Sequence, residues 1–538
     1  MKEVQKKYLW WQEGVIYQIY PRSFQDSDGD GVGDLQGIIQ RLDHLQSLGI
    51  TAIWISPIFS SPMADFGYDI SDYCDIHPLF GTMDDFDELL KAVHDRGMKL
   101  ILDLVPNHTS SEHPWFKESR ASRDNPKRDW YIWKDGKEDG SEPNNWLSVF
   151  GGSAWEWDES TQQYYYHAFL KEQPDLNWRN PEVQKAMMDV MRFWLDKGVD
   201  GFRVDVMWHM IKDDQFRDNP INPDYQQHQS TFEKLIPAFS TDQPEVHDIV
   251  HMMRKVLDSY DERMMIGEIY LPIHKLMTYY GTDENGAHLP FNFLLLSINW
   301  DAREISSNVN QYEGALPNGG WPNWVLGNHD QPRITGRVGQ DQAKVAAMLL
   351  LTLRGTPTIY YGDEIGMRDV PIPEDEIQDP QGLNMPGLNL SRDPQRTPMQ
   401  WDNSENAGFS EAKPWLRLPE DYRRINVKAQ QDDPYSTLAL HKKLIKLRQK
   451  EPALHVGDYR PVVSKGSVLA YLRYTSEQRF LILLNLSHKA CHFDPEHFEF
   501  EGGIEIDTLP EREGQNVRNQ VSLSGDEGMI IRLKENMD

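Results

Sequence analysis

The run GFRVDV, residues 201–206, decides how this chain reads. A short apolar and β-branched stretch is broken by Arg203 and closes on an acid, Asp205. A charge at the last residue of a short buried strand points into solvent or a cleft rather than into the core. Two other runs repeat the pattern: MMIGEIY at 264–270 carries Glu268, and VLGNHDQPR at 325–333 carries Asp330. Strand ends are where a (β/α)8 barrel keeps its catalytic groups. Three acids in the same structural place, on strands scattered through more than a hundred residues, point to one site assembled by a barrel.

Working outward, short buried strands are expected at 15–20, 52–55, 99–104, 201–206, 264–269, 291–297, 324–326 and 358–361, which makes eight. Helical patterns lie between them. Over 83–96, Phe86, Leu89, Leu90 and Val93 share one face and Gly97 supplies the stop. A parallel βα series follows. The interval 104–201 is far longer than a βα unit of about 30 residues, and its stretch 144–166 is rich in Trp, Tyr, Gly and Asn, so a domain is inserted after the third strand. The segment 369–402 is a long loop beyond the eighth strand, dense in Pro, Asp and Asn. After about residue 451 the runs SVLAYLRYT, RFLILLNLS and GMIIRLKE announce an antiparallel β-domain. The expected division is a barrel of 1–104 and 171–450, an insert of 105–170 and a C-terminal β-sandwich of 451–538.

Composition bounds the function. The chain has 538 residues, 39% hydrophobic and 26% charged, ample for a barrel with smaller domains. A formal net charge of -29 disfavours nucleic acid and anionic membranes and suits a neutral small-molecule substrate. Cys74 and Cys491 are too far apart in sequence to suggest a disulfide framework, so a reducing, cytoplasmic location is expected. The start MKEVQKKYLWWQEG lacks the apolar core of a signal peptide, and no stretch approaches the roughly 20 apolar residues of a membrane span. Of 59 aromatics most read as packing; Tyr68, Phe150 and Phe169, beside the motifs, read as stacking platforms.

The blocks GFRVD, GE and NHD, with DLVPNH at 103–108, resemble the four short blocks of the α-amylase superfamily, glycoside hydrolase family 13, in the same order. The flanking GITAIWISP (49–57), QPDLN (173–177) and GTPTIYYGDE (355–364) agree. The opening WWQEGVIYQIYPRSF, DFGYDISDY (65–73) and SRDPQRTPMQWD (391–402) narrow the resemblance to its α-glucosidase and oligo-1,6-glucosidase branch.

The resemblance implies a retaining, exo-acting α-glucosidase. Retention needs a nucleophilic carboxylate and an acid about 5 to 5.5 Å apart, and neighbouring strands four and five place Asp205 and Glu268 for that. By resemblance Asp205 is the nucleophile, Glu268 the acid/base, and Asp330 a third carboxylate gripping sugar hydroxyls. Arg203, two residues before Asp205 on the same side of its strand, is expected to hold it ionised. Glu268 has no cation beside it in sequence and follows an apolar run, which raises its pKa toward an acid's role. His108 and His329, as neutral donors, could bond hydroxyls of the bound glucose. Asp103 is expected to organise the site from strand three. The branch also supplies a carboxylate, a stacking tyrosine and an arginine that close the pocket. These fall on Asp65, Tyr68 and Arg392, with Arg396 left as the alternative arginine.

DSDGDGVGD, 26–34, sets Asp26, Asp28, Asp30 and Asp34 at the spacing of a loop around a hard cation. It resembles the calcium loop of this branch and departs from an EF-hand, with Gly37 at the twelfth position and Gln36 before it. A structural calcium and no organic cofactor are expected. In the branch a valine after the nucleophile correlates with α-1,6 preference, and here it is Val206. Glucosyl transfer or sucrose isomerisation is the enzymatic alternative, although the RLDRD loop of the isomerases is absent and NWDAREI stands at 299–305. A transporter-associated ectodomain of the same fold would need a membrane span and can lack the acids present here.

Overall fold

The computed structural model describes residues 8–495 and 498–534. Residues 1–7, the start of the segment expected to carry no signal peptide, and residues 496–497 and 535–538 of the expected C-terminal domain lie outside that range. Eight short parallel strands form the centre: β1 (Ile16–Ile19), β2 (Ala52–Ile55), β3 (Lys99–Leu104), β4 (Gly201–Val204), β5 (Met264–Gly267), β6 (Leu289–Pro290), β7 (Asn323–Val325) and β8 (Thr356–Tyr360). They hydrogen-bond in the order β6-β5-β4-β3-β2-β1-β8-β7. Asn292 bridges to Trp324 in parallel, and its N–H donates to the Asn323 carbonyl at 3.1 Å, which closes the sheet into a barrel. Trp54, Ile101, Met264, Ile266, Leu289 and Phe291 pack together in one buried cluster. Nearly every strand residue is buried, as a parallel sheet covered by helices requires.

The helices follow local signals. Leu35–Leu48 is capped by the Asp34 carboxylate and stopped by Gly49 at φ 90°. Met83–Asp95 starts on a reciprocal Thr82/Asp85 capping box. One expected strand is corrected. The strand itself ends at Pro290, Asn292 still bridges to Trp324, and Leu294–Ser297 is a helical turn whose first N–H is accepted by the Asn292 side chain. A leucine run has helical rather than β preference.

Between β3 and β4 lie the helix Pro114–Ala121 and a small antiparallel sheet ordered Trp133–Lys134, Gln163–Tyr166, Trp155–Asp158. Trp146, Trp155, Tyr166 and Ala168 give it a core of its own. Beyond residue 451 a six-stranded antiparallel sheet and a two-stranded partner, Cys491–Phe493 with Val521–Leu523, enclose Leu481, Leu483, Phe493 and Val521. Among the described residues, no helix is long and apolar enough to cross a membrane.

Candidate functional site

The acids stand just past the strands rather than on their last residues. β4 ends at Val204 and β5 at Gly267, one residue before Asp205 and Glu268, while Asp330 lies five residues beyond Val325 on the loop after β7. Arg203 is the hub. Its Nη1 donates to Asp205 Oδ1 at 2.6 Å and to Asp103 Oδ1 at 2.8 Å. Its Nη2 lies 2.6 Å from Glu268 Oε2, off the hydrogen-bonding direction. The expectation that Glu268 lacks a neighbouring cation is therefore corrected: strand register, not sequence adjacency, brings Arg203 beside it, because Ile266 on β5 pairs with Arg203 on β4.

Three buried carboxyls around one guanidinium do not all ionise together. Burial pushes Glu268 upward, with Arg203 opposing. Burial likewise lifts Asp205 well above the usual carboxylate range, with Arg203 opposing. Asp103 is pushed up to about 7 by the same burial.

Behind the carboxyls runs a chain of neutral donors. Gln18 Nε2 meets His329 Nδ1 at 2.8 Å, and His329 Nε2 meets the Tyr68 hydroxyl at 2.6 Å. With the amide donating, the ring proton sits on Nε2. Tyr68 in turn donates to Asp103 Oδ2 at 3.1 Å, where Trp54 Nε1 also donates. Burial drives His329 well below the ordinary histidine range, so it stays neutral. Both its nitrogens are occupied and it does not line the cavity, which corrects its expected contact with sugar hydroxyls. Arg203 is likewise behind the wall.

His108 does reach the cavity. Asn107 Nδ2 approaches its Nδ1 at 3.1 Å, leaving an Nε2 proton for the Tyr68 carbonyl at 3.0 Å. Burial lowers its pKa to about 4. Asn107 is held by Asp175 at 2.8 Å and by the buried ammonium of Lys212 at 2.7 Å. Lys212 has no motif to mark it and escapes a sequence reading, whereas Asp175 sits in the quoted QPDLN block.

One end of the cavity is closed by charge. Arg392 Nη2 donates to Asp65 Oδ1 at 2.6 Å and Asp379 Oδ1 at 2.7 Å, and Nη1 donates to Asp330 Oδ1 at 3.1 Å. Arg396 Nη2 reaches the same Asp330 oxygen at 2.8 Å. The alternative between the two arginines resolves on geometry: Arg392 makes the Asp65 contact and both hold Asp330. Burial raises Asp330, but the surrounding positive groups outweigh it and hold the carboxyl far below its usual range. Arg392 and Arg396 carry that effect, since His329, whose Nε2 lies 3.2 Å from Asp330 Oδ2, is neutral and adds no charge. The guanidinium of Arg392 also lies 4.7 Å from the Phe150 ring, and Phe169 packs on His108 at 5.3 Å. The cavity, about 600 Å³, is lined at this end by Asp65, Tyr68, His108, Phe150 and Arg392, with Asp205, Glu268 and Asp330 beside them. Asp379 was hidden in the long loop after β8; only the length of that loop signals function.

Two local features remain. Val206 adopts φ 33°, ψ 46°, a left-handed conformation that a β-branched residue reaches only under strain. It aims its N–H at Glu268 Oε2, 2.9 Å away. In the acidic loop, Asp26, Asp28 and Asp34 can bring carboxylate oxygens within 4.8 Å of one another. Asp30 falls outside that group, its carboxylate accepting from Val32 N–H.

The family description "Alpha amylase, catalytic domain" matches residues 18–457. The chain belongs to the α-amylase superfamily. Within it, an oligo-1,6-glucosidase of Parageobacillus thermoglucosidasius is 42% identical over 533 residues, covering 92% of this chain and 93% of that protein. Maltase 1 of Drosophila virilis is 41% identical, covering 98% and 87%. Among solved structures, an α-glucosyl transfer enzyme, XgtA, superposes with a TM-score of 0.93 at 41% identity, covering 98% of this chain and all of that one. The trehalulose synthase MutB of Pseudomonas mesoacidophila superposes at 0.91 with 35% identity, covering 98% and 100%. The barrel, the insert after β3 and the C-terminal β-sheets are thus the architecture of a glycoside hydrolase.

Proposed function

We propose that this α-amylase superfamily member is a retaining, exo-acting α-glucosidase that releases α-D-glucose from the non-reducing end of short α-glucosides. The observation that carries it is the pairing of Asp205 and Glu268 across one guanidinium in a cavity closed by Arg392, Asp65 and Asp330. Asp205 attacks the anomeric carbon as Glu268 gives its proton to the departing glycosidic oxygen. The glycosidic C–O bond breaks and a covalent glucosyl ester to Asp205 forms with inverted configuration. Glu268, now a carboxylate, takes a proton from water, whose oxygen displaces Asp205 and restores the α configuration. Asp330, held ionised by two arginines, stabilises the positive charge that develops on the ring. Tyr68 stacks against the terminal glucose and His108 lines its side, with Phe150 and Phe169 forming the apolar walls.

Val206 beside the nucleophile, together with the oligo-1,6-glucosidase relatives, favours α-1,6 bonds. Transfer to a sugar acceptor is the second reading, favoured by the likeness to a glucosyl transfer enzyme and to sucrose isomerases. The Asp26, Asp28 and Asp34 carboxylates fit a hard cation, and we assign calcium there a structural role in holding the loop after β1. Both cysteines are unpaired, in keeping with a reducing cytoplasmic compartment. Product analysis on isomaltose, maltose, sucrose and soluble starch tests the proposal. It predicts glucose from the disaccharides and little action on starch; internal cleavage of starch, with viscosity falling before glucose appears, defeats it.

A further inference from the structure

The charges around the cavity do not balance. Five carboxyl side chains line it, Asp65, Asp205, Glu233, Glu268 and Asp330, against one cation, Arg392. His108 and His209 also face it, and burial lowers both below the ordinary histidine range, so neither adds positive charge. Arg392 is already shared by Asp65, Asp330 and Asp379. Among the described residues the wall offers no further cation for an arriving anion.

Glu233 stands apart from the other four acids. Asp65 and Asp330 pair with Arg392, and Asp205 and Glu268 lie against Arg203. Glu233 is exposed, and its carboxylate has no ion-pair partner among the described residues. It sits on the 3-10 turn Thr231–Lys234, in the long excursion between β4 and the helix Val246–Leu257. That turn is tied down. Asn222 Nδ2 donates to the Glu233 carbonyl at 2.8 Å, and the Ser230 and Thr231 hydroxyls each donate to Met385 Sδ, in the loop after β8, at 3.7 Å. Gln229 Nε2 donates to Glu233 Oε2 at 2.6 Å, so a fixed backbone and a neutral amide hold the carboxylate at the wall.

An unpaired carboxylate beside a cavity sets a sign preference for what enters. An anion that leaves water for a half-enclosed space beside a like charge meets a cost that no cation offsets. The terminal glucose held at the Arg392 end is neutral, so the preference falls on the leaving group. We propose that Glu233 sets the charge class of that leaving group: the enzyme takes glucosides of neutral sugars and polyols and rejects those whose leaving group is anionic. The proposal rests on the α-glucosidase reading above. Rejection by an unmatched charge discriminates without any added contact to the favoured substrate.

The test uses two matched pairs, isomaltitol with isomaltobionate and maltitol with maltobionate, in which one terminal CH2OH of the leaving group becomes a carboxylate and nothing else changes. In wild type, kcat/KM should be at least about tenfold lower on the acid of each pair, the scale on which like-charge contacts suppress wrong partners. The gap should narrow as salt rises, because an exposed charge is screened. Glu233→Gln should shrink it by at least about threefold, and Glu233→Lys should close or invert it. Gaps of equal size in wild type, Glu233→Gln and Glu233→Lys overturn the inference, as does wild-type enzyme that cleaves acid and alditol alike. Wild-type enzyme that cleaves none of the four, nor isomaltose or maltose, defeats the α-glucosidase reading instead.

Discussion

Arg203 and Arg448 are both fully buried guanidiniums, yet their surroundings are opposite. Arg203 faces three carboxyls, and although burial penalises its charge, those carboxyls raise its pKa well above the ordinary value. Arg448, on the helix Thr437–Lys450, donates only to main-chain carbonyls of Leu351, Leu353, Leu454 and Gly355. Burial and the like charge of Arg473 push it down to about 9. The first arrangement gathers charge around a reacting centre and the second ties main-chain carbonyls at helix ends and in the segment before β8. Burial of a charge therefore does not mark a site; convergence of acids from separate strands does.

The sharpest way to break the comparison is to remove the nucleophile. Asp205→Asn keeps volume and fold, and should lower kcat by at least about three powers of ten, roughly 4 kcal/mol of barrier; near wild-type turnover in steady-state assays would end the mechanism. Next comes the acid. Glu268→Gln should cost about 10²–10⁴ on disaccharides but far less on activated aryl glucosides. Burial raises the Glu268 pKa, so wild-type activity must fall as pH climbs through that raised value and the proton is lost. A pH profile of Glu268→Gln on an aryl glucoside should lack this alkaline limb.

The arginines themselves separate next. Arg448→Met leaves carbonyls unpaired and should cost about 1–3 kcal/mol of stability, read as a lower Tm with kcat/KM little changed. Arg203→Met should instead collapse activity, because the carboxyls then lose their only shared cation. Equal effects of the two substitutions on activity would erase the distinction. The smallest effect concerns calcium, whose binding to the folded state alone raises Tm with free ion by linkage. A melting curve indifferent to chelation and to added calcium would reduce Asp26, Asp28 and Asp34 to an acidic turn.

Much of this was legible in the chain. Short apolar runs ending in Asp205 and Glu268 locate β4 and β5 to within two residues, because strand burial imposes its pattern locally. β6 was misread, since two residues carry too little pattern to outweigh the leucine run that follows. Through-space relations were not readable. Nothing in the sequence says that Arg203 touches Glu268, that Gln18 and Tyr68 consume both nitrogens of His329, or that Asp379 shares Arg392 with Asp65. Each arises from register between strands or from loops meeting over the barrel's end. The strained backbone of Val206 is equally invisible, because valine is an unexpected residue for a left-handed position.

The central claim is that Asp205 and Glu268, paired in a pocket closed behind one glucose, hydrolyse short α-glucosides by two successive displacements. Proton NMR of isomaltose hydrolysis, followed before mutarotation blurs the anomers, tests it most directly. The account predicts that α-glucose appears first from the non-reducing end, with the β-anomer growing in later. β-Glucose as the first anomer released by that cleavage would contradict it.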